Sequence, residues 1–147
     1  MATKKSSILR LAEINHLLSQ LSERAKPLTL KKFNETILKQ KNFCLLRAYL
    51  EDSSETGQLV GMGSIYFEHT LSGFKGYIDD VVVDKMYRGL SIGEQITRGL
   101  IRVAKKRGAE WIDLTSNPKR KAAIALYKKL GFRKRDSKPY RLVLKKK

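Results

Sequence analysis

The sequence predicts a mixed α/β (α+β) fold, in which a mostly antiparallel central sheet of six to seven strands is flanked by about four helices. Two features predict it. Some segments carry apolar residues at helical spacing, whereas others are short apolar runs typical of buried strands. The clearest strand contains Val81, Val82 and Val83, and it leads through a glycine-bearing turn into the helical segment Glu94–Arg107. We expect one domain over residues 1–147, with flexible basic ends at 1–7 and 145–147.

The N-terminal region predicts two helices. Ser6 or Ser7 is expected to cap the first, and Pro27 ends this region. Thr29 is expected to cap a second, shorter helix. The apolar face of the first helix comprises Ile8, Leu11, Ile14, Leu17, Leu18 and Leu21, and the second is expected to turn Leu30, Phe33, Ile37 and Leu38 inward.

A meander of three antiparallel strands is predicted next. The first two strands are Phe43–Leu50 and Gln58–Glu68, and the valine strand is the third. Polar turns at Glu51–Gly57 and Leu71–Gly76 are expected to join them.

The last third of the chain predicts a short strand, a helix and a hairpin. The strand is Trp111–Ser116, and the helix is opened by Asn117 or Pro118 and closed by Gly131. The closing hairpin is expected to pair Phe132–Arg135 with Tyr140–Leu144 around a turn at 136–139.

The junction between the valine strand and the following helix has the composition of a phosphate-binding turn. Arg88, Gly89, Ser91 and Gly93 lead into the helix, whose first backbone N–H groups would converge on an anion with the help of the helix dipole. Strand, glycine turn and helix also occur as plain connectors, so the junction alone leaves both interpretations open.

A second segment, Thr115–Phe132, favours the phosphate-binding turn over the plain connector. Together the two segments resemble the GNAT superfamily of N-acetyltransferases, and the resemblance covers Phe43 to Leu144. The first family pattern, R-x-x-G-x-G, is matched by Arg88, Gly89, Leu90, Ser91, Ile92 and Gly93 except at Ser91, where glycine is usual. The second, L-Y-x-x-x-G-F, is matched in full by Leu126, Tyr127, Gly131 and Phe132.

The resemblance implies an acetyl-CoA-dependent N-acetyltransferase that moves an acetyl group to a primary amine. It places the pyrophosphate of acetyl-CoA on Arg88–Gly93 and the pantetheine arm along the backbone of Val81, Val82 and Val83, where one N–H near Val83 would face the thioester carbonyl. Glycine is favoured where the backbone reaches positive φ or touches phosphate, so Ser91 is expected to weaken cofactor binding. Its hydroxyl could instead add a contact or cap the helix.

Tyr127 matches the family's general acid, which protonates the departing thiolate. A thiol titrates near pH 8.5 and a phenol near 10, so this transfer is uphill by about 2 kcal/mol before the site tunes either group. The alternative is a core tyrosine, because Ala123, Tyr127 and Leu130 share one helical face.

Asp79 and Asp80 form an acidic pair beside the valine strand, as in glucosamine-phosphate acetyltransferases of the family. A carboxylate there could position the acceptor ammonium or accept its proton. Adjacent strand residues point to opposite faces, so only one faces the acceptor unless a bulge intervenes, and Asp79 is the preferred candidate. The alternative is a surface cap or lysine partner.

Arg120 and Asn117 are further candidate cofactor contacts. Arg120 is expected two turns before Tyr127 on the same helix face, where it either holds phosphate or belongs to the solvated basic surface. Asn117 is favoured as a helix cap over a ligand.

The net charge of +17 is concentrated in the last third. Residues 98–147 carry 18 Lys and Arg against 3 Asp and Glu, a net +15. This surface would attract CoA, whose phosphates would dock near Arg88 and the cluster Lys119, Arg120 and Lys121, or it would attract nucleic acid or the ribosome. A merely solubilising role is the favoured interpretation of the terminal lysines.

The cysteine, histidine and apolar content indicates the cellular compartment and the absence of a metal site. A lone cysteine, Cys44, cannot form an internal disulfide, and no apolar run reaches membrane-spanning length, so the protein is expected to be soluble and cytoplasmic. His16 and His69 form no metal pattern and are expected at the surface, so no metal is expected.

Two functional hypotheses remain. The preferred one is acetyl transfer to a small-molecule or protein amine, and the rival is a catalytically weak or inactive module that binds RNA or ribosomes. Nucleic acid is the less favoured partner, no membrane partner is expected, and a homodimer is common in the family.

Overall fold

The computed structural model describes residues 4–51 and 57–145, with positions 4–9 described by their backbone. The chain forms two compact units, Met1–Leu114 and Thr115–Lys147. The first holds α1 (Lys4–Leu21), α2 (Leu30–Lys32, continued by the π-helical segment Phe33–Ile37), β1 (Phe43–Leu50), β2 (Gln58–Thr70), β3 (Gly73–Val83), a 3-10 turn (Lys85–Tyr87), α3 (Ile92–Arg107) and β4 (Trp111–Leu114). The second holds α4 (Lys121–Lys129).

The sheet of the first unit has the order β1-β2-β3-β4. The three-stranded antiparallel meander is confirmed, and β4 joins β3 in parallel. The turn between β2 and β3 is shorter than predicted, because strand pairing continues to Thr70 and Gly73. Phe67 and Phe74, one on each strand, stack with ring centroids 5.8 Å apart. The predicted turn at Glu51–Gly57 lies mostly outside the described residues.

The described chain contains four strands rather than the predicted six to seven. The predicted hairpin of Phe132–Arg135 and Tyr140–Leu144 is wrong, because neither segment forms a strand. Charge repulsion opposes the hairpin, because it would bring many like charges together. These charges are Arg133, Lys134, Arg135, Lys138, Arg141 and Lys145. The apolar side chains in these segments remain exposed, Tyr140 at 92% and Leu144 at 86%.

Helices α1 and α2 cover one face of the sheet. Helix α1 begins at Lys4, so Ser6 and Ser7 lie inside the helix and the predicted cap is wrong. The Thr29 cap is confirmed, since its hydroxyl accepts the Lys32 N–H at 3.2 Å. Leu38 is 51% exposed, against prediction. The buried cluster on this face comprises Leu11, Ile14, Leu17, Phe33, Leu59, Met62 and Val82.

Replacing Leu17 by alanine tests this core. Leu17 is fully buried, so the substitution removes apolar contacts and leaves a cavity that costs about 2–5 kcal/mol of unfolding free energy. Urea unfolding followed by circular dichroism measures the loss. The exposed Leu38→Ala is the matched control, with an expected change within about 0.5 kcal/mol. Equal losses in the two variants would contradict the assigned core.

Helix α3 packs closely on the opposite face of the sheet, because the residues at the contact are glycines without side chains. A Cβ on Gly61 would lie 2.9 Å from Ile96, and a Cβ on Gly63 would lie 2.8 Å from the same residue. A Cβ on Gly99 would lie 2.6 Å from Leu46 of β1. This close approach of helix and sheet fixes the N-terminus of α3 near the end of β3.

Helix α4 starts later than predicted. The Asn117 side chain accepts the Lys119 N–H at 2.9 Å, and the Arg120 N–H bonds to the Asn117 carbonyl, so this segment forms a turn and α4 begins only at Lys121. Gly131 closes the helix as predicted. Its φ of 93° is left-handed, and the next N–H, of Phe132, bonds back to the Tyr127 carbonyl at 3.0 Å. Among the described residues, no helix combines the length and apolarity needed to span a bilayer.

Candidate active site

The turn between β3 and α3 is built from two left-handed residues. Gly89 has φ 83° and Ser91 has φ 59°, and together they redirect the chain so that α3 begins at Ile92. The Arg88 Nε donates to the Val83 carbonyl at 3.1 Å, which folds the turn back onto the end of β3. The junction that the sequence predicted is therefore a helix N-terminus held against a strand end.

Ser91 is the N-cap residue of α3. Its carbonyl accepts the Gln95 N–H at 3.0 Å, but its hydroxyl makes no capping bond, so of the two alternatives for this hydroxyl the helix cap is wrong. A left-handed non-glycine residue costs on the order of 1 kcal/mol. The glycine that is usual in the family fits this left-handed backbone without strain, whereas Ser91 adopts it at an energetic cost.

The first turn of α3 is suited to an anion. The backbone N–H groups of Ile92, Gly93 and Glu94 lie before the first helical hydrogen bond and point out of the helix end, where the dipole is positive. Glu94 would oppose an anion there, but Arg98 binds its carboxylate through Nε at 3.0 Å and Nη2 at 2.9 Å. This pairing offsets the negative charge, and no sequence pattern singles out either residue.

β3 carries a bulge beside the turn. Met62 pairs with Val82 and Ser64 pairs with Asp79, so Gly63 alone faces the two residues Asp80 and Val81. Asp80 has a left-handed φ of 51°. The bulge that the sequence analysis left open is thus present, and the rule that Asp79 and Asp80 point to opposite faces does not hold here.

The two carboxylates and Ser64 form one polar cluster. The Ser64 hydroxyl lies 3.1 Å from the Asp79 carbonyl and 3.4 Å from Asp80 Oδ2, and the Asp80 N–H donates to Asp79 Oδ1 at 2.9 Å. Asp80 is exposed as a residue, yet its carboxyl has lost part of its hydration. This desolvation and the neighbouring Asp79 charge raise the pKa of Asp80 above 3.8, against the lowering effect of the Ser64 bond.

Two tyrosines lie next to this cluster on the same face of the sheet. Tyr66 and Tyr77 stack with ring centroids 5.3 Å apart, and each lies two residues along its strand from Ser64 or Asp79. Desolvation first, and then the negative charge of Asp79, raise the pKa of the Tyr66 hydroxyl. The patch therefore has a negative potential that favours a cationic group.

β3 extends beyond its pairing with β4. β4 pairs with Lys75–Ile78 only, whereas β3 continues through Val83. Val81 and Val82 are buried and Val83 is half-buried, as expected for a strand covered on its faces. The part of β3 from Asp79 to Val83, which includes the bulge, thus lies past the end of its β4 ladder.

The second unit contains the other candidate residues. Tyr127 is 7% exposed, and its ring meets Phe132 edge to face at 5.8 Å. Arg120 is the exposed N-cap residue of α4, so its predicted place within the helix is wrong. The side chain of Asn117 shapes the preceding turn, which agrees with a capping role.

Sequence reasoning missed the cluster of Asp84, His16 and Gln20. Asp84 is buried at 5% exposure directly after β3, and its Oδ2 lies 2.9 Å from His16 Nε2 of α1. His16 is exposed, as predicted, but it has a specific partner 68 residues away. No periodic pattern links such distant positions, so the sequence offers no signal for the contact. Among the described residues, no cluster of His, Cys, Asp and Glu is arranged to hold a metal ion.

Comparison with known proteins identifies relatives of this chain. The profile of the Acetyltransferase (GNAT) family matches residues 11–132. A glucosamine 6-phosphate N-acetyltransferase 1 of Oryza sativa subsp. japonica is 33% identical over 135 residues, which cover 84% of this chain and 78% of the relative. A thialysine N-epsilon-acetyltransferase of Bos taurus is 32% identical over 127 residues, covering 84% and 73%.

The fold has counterparts among solved structures. A crystal structure of a Trypanosoma brucei acetyltransferase matches with a TM-score of 0.75 and 28% identity, covering 91% of this chain and 92% of that chain. The similarity extends over nearly the whole length of both proteins.

Proposed function

Because the chain belongs to the GNAT family of acetyltransferases, we propose that it transfers an acetyl group from acetyl-CoA to a primary amine by direct attack of the amine on the thioester. The single observation that carries the proposal is the turn at Gly89 and Ser91, which opens α3 after the bulged strand β3 and the 3-10 turn. The relatives named above are N-acetyltransferases, and they lend no support to the alternative of an inactive RNA-binding module.

The residues of the turn fit the pyrophosphate of acetyl-CoA. Backbone N–H groups at a helix N-terminus bind phosphate without a charged side chain, and the Arg88 guanidinium adds a positive charge beside them. Gly89 has no atom within 4 Å of a would-be Cβ, so its surroundings leave space for a ligand. The exposed cations Lys119, Arg120 and Lys121 are proposed to bind the remaining phosphate charge.

Acetyl-CoA supplies the acetyl group as an activated thioester. We place the pantetheine arm along the β3 backbone at Val81–Val83, beyond the end of its β4 ladder, with an N–H near Val83 facing the thioester carbonyl. A donor fixed before the reaction stabilises the negative charge that develops on that oxygen.

Proton transfers complete the reaction. Asp79 holds the acceptor as an ammonium ion, and we assign Asp80 as the base that removes the first proton and frees the nitrogen to attack, because the raised pKa of Asp80 makes it a better base than an ordinary carboxylate. The nitrogen loses a second proton as the amide forms, and the leaving thiolate gains one from Tyr127, the proposed donor. The second nitrogen proton, carried by water, restores the Tyr127 hydroxyl, and Asp80 releases the first proton to solvent.

The acceptor is proposed to be a small primary amine with a local positive charge. The negative patch of Asp79, Asp80 and the stacked Tyr66 and Tyr77 favours an ammonium group. Glucosamine 6-phosphate and thialysine, named in the relatives, are the first amines to test. Release of free thiol from acetyl-CoA across these amines, polyamines and a lysine peptide tests the proposal. Absence of acetyl-CoA binding would overturn it, whatever the amine.

Ser91→Gly is expected to improve cofactor binding. Glycine adopts φ 59° without strain and lets the backbone approach phosphate more closely, so the Kd for acetyl-CoA should fall roughly 2- to 10-fold. Stability should change by less than about 1 kcal/mol, because the relieved strain is offset by the greater chain entropy of unfolded glycine. Titration calorimetry measures the Kd.

Gly89→Ala is the matched reverse variant. It introduces strain at φ 83° without steric overlap, so it should weaken binding. If Ser91→Gly weakened binding instead, the Ser91 hydroxyl would be a phosphate ligand and the strain account would be wrong.

A further inference from the structure

The network around Asp84 joins α1 to the first residues of the phosphate turn. Asp84 directly follows β3, and its N–H donates to the Val60 carbonyl of β2 at 2.8 Å. Its Oδ1 accepts the Met86 N–H at 2.9 Å, and its carbonyl accepts the Tyr87 N–H at 2.9 Å. One buried residue thus anchors the 3-10 turn that leads into Arg88 and Gly89.

The other oxygen of the Asp84 carboxylate faces α1. His16 Nε2 lies 2.9 Å from Oδ2, and Gln20 Nε2 donates to the same oxygen at 3.2 Å. Gln20 also accepts the Lys85 N–H through Oε1 at 2.9 Å. Two side chains one helical turn apart on α1 therefore hold two consecutive residues of the turn.

The charge of Asp84 is well supported in this setting. The Met86 N–H lowers the pKa of the Asp84 carboxyl most strongly, burial opposes it, and the bonds from His16 and Gln20 lower it further. A buried carboxylate that stays ionised needs such donors, and removing one leaves its charge poorly compensated. The turn and α1 are thus linked through a group that tolerates little displacement.

We propose that Asp84 and Gln20 are positioning residues that set the affinity for acetyl-CoA without touching it. They act by fixing the backbone of the phosphate turn to α1. His16, which contacts the Asp84 carboxylate, is the third residue of this network. This inference rests on the proposed function, since it assumes that the turn binds the pyrophosphate. It assigns a role in cofactor binding to a helix that precedes the turn by more than sixty residues.

The chain offers a matched control on the same helix. Glu13 Oε1 accepts the Leu59 N–H at 3.2 Å, so it also ties α1 to a backbone N–H of the sheet region, but its partner is a residue of β2 rather than a residue of the turn. Glu13 and Gln20 are both half-buried. Replacing each by alanine removes the same kind of tether at different places.

Titration calorimetry with acetyl-CoA tests the proposal. Gln20→Ala should raise the Kd about 5- to 20-fold and raise the KM for acetyl-CoA in parallel, with kcat at saturation within about twofold. Glu13→Ala should leave the Kd within about twofold of the wild-type value, even where urea unfolding records a similar loss of stability. Adding Asp84→Asn to Gln20→Ala should give less than the product of the two single effects, because both residues act through one network.

Two results would overturn the proposal. Either Gln20→Ala binds acetyl-CoA as the wild type does, or Glu13→Ala weakens binding as much as Gln20→Ala, which would reduce the role of Gln20 to general stability. Wild-type protein that binds no acetyl-CoA would instead refute the proposed function itself, and the inference with it. The wild-type titration therefore separates the two failures.

Discussion

Replacing Tyr127 by phenylalanine is expected to lower kcat by about 10²- to 10⁴-fold, the range that a general acid contributes. The phenyl ring keeps the edge-to-face contact with Phe132 and the burial of the site, so the fold should persist. The substitution removes the hydroxyl, which is the proposed proton donor. Steady-state thiol release at saturating acetyl-CoA measures kcat, and calorimetry should give a Kd within about threefold of the wild-type value.

Tyr140→Phe is the control for this prediction. Tyr140 is 92% exposed and belongs to the same compact unit, so loss of its hydroxyl should leave kcat within about twofold. Unchanged turnover in Tyr127→Phe would mean that Tyr127 is a core residue and that another group protonates the thiolate.

Asp80→Asn is expected to give the second large effect, a decrease in kcat/KM of about 10²- to 10³-fold near neutral pH. The asparagine keeps an oxygen near the Ser64 hydroxyl but cannot accept a proton. In the wild type, kcat/KM should fall as pH drops through the pKa of Asp80, which lies above 3.8. In the variant this acidic limb should disappear from the pH profile.

The stability of Asp80→Asn should move in the opposite direction. A carboxyl whose pKa is raised in the folded state binds its proton more tightly there, so its ionisation reduces stability as pH rises above the unfolded pKa. The uncharged variant should therefore be at least as stable as the wild type at neutral pH, as measured by urea unfolding. Asp79→Asn is the control and should mainly raise the KM for the amine. A variant that retained both the activity and the acidic limb would exclude Asp80 as the base.

Local signals in the sequence were sufficient for the elements that position the site. The strand of Val81–Val83 and the turn at Gly89 were predicted because burial on both faces and left-handed backbone each leave a clear mark on residue choice. The same reasoning predicted strain at Ser91, and its φ of 59° confirms the conformational demand. The cap at Thr29 and the stop at Gly131 followed from equally local chemistry.

Features that depend on contacts between distant residues could not be predicted from local sequence patterns. The apolar residues at 140 and 142–144 resemble a strand, but no apolar surface buries them in the described structure. The left-handed Asp80 arises from its register against Gly63, which no single strand encodes. The contact between His16 and Asp84 joins two elements that only the folded sheet brings together.

The central claim is that the turn before α3 grips the pyrophosphate of acetyl-CoA. Calorimetric titration of the wild-type protein with acetyl-CoA, compared with S-acetylpantetheine, tests it most directly because the second compound keeps the thioester and the pantetheine arm but lacks the pyrophosphate and the adenosine 3′-phosphate attached to it. We expect one molecule of acetyl-CoA to bind per chain, at least about 100-fold more tightly than S-acetylpantetheine, since charge-assisted bonds to phosphate supply most of the difference. Equal affinities, or no heat from acetyl-CoA at all, would contradict the account.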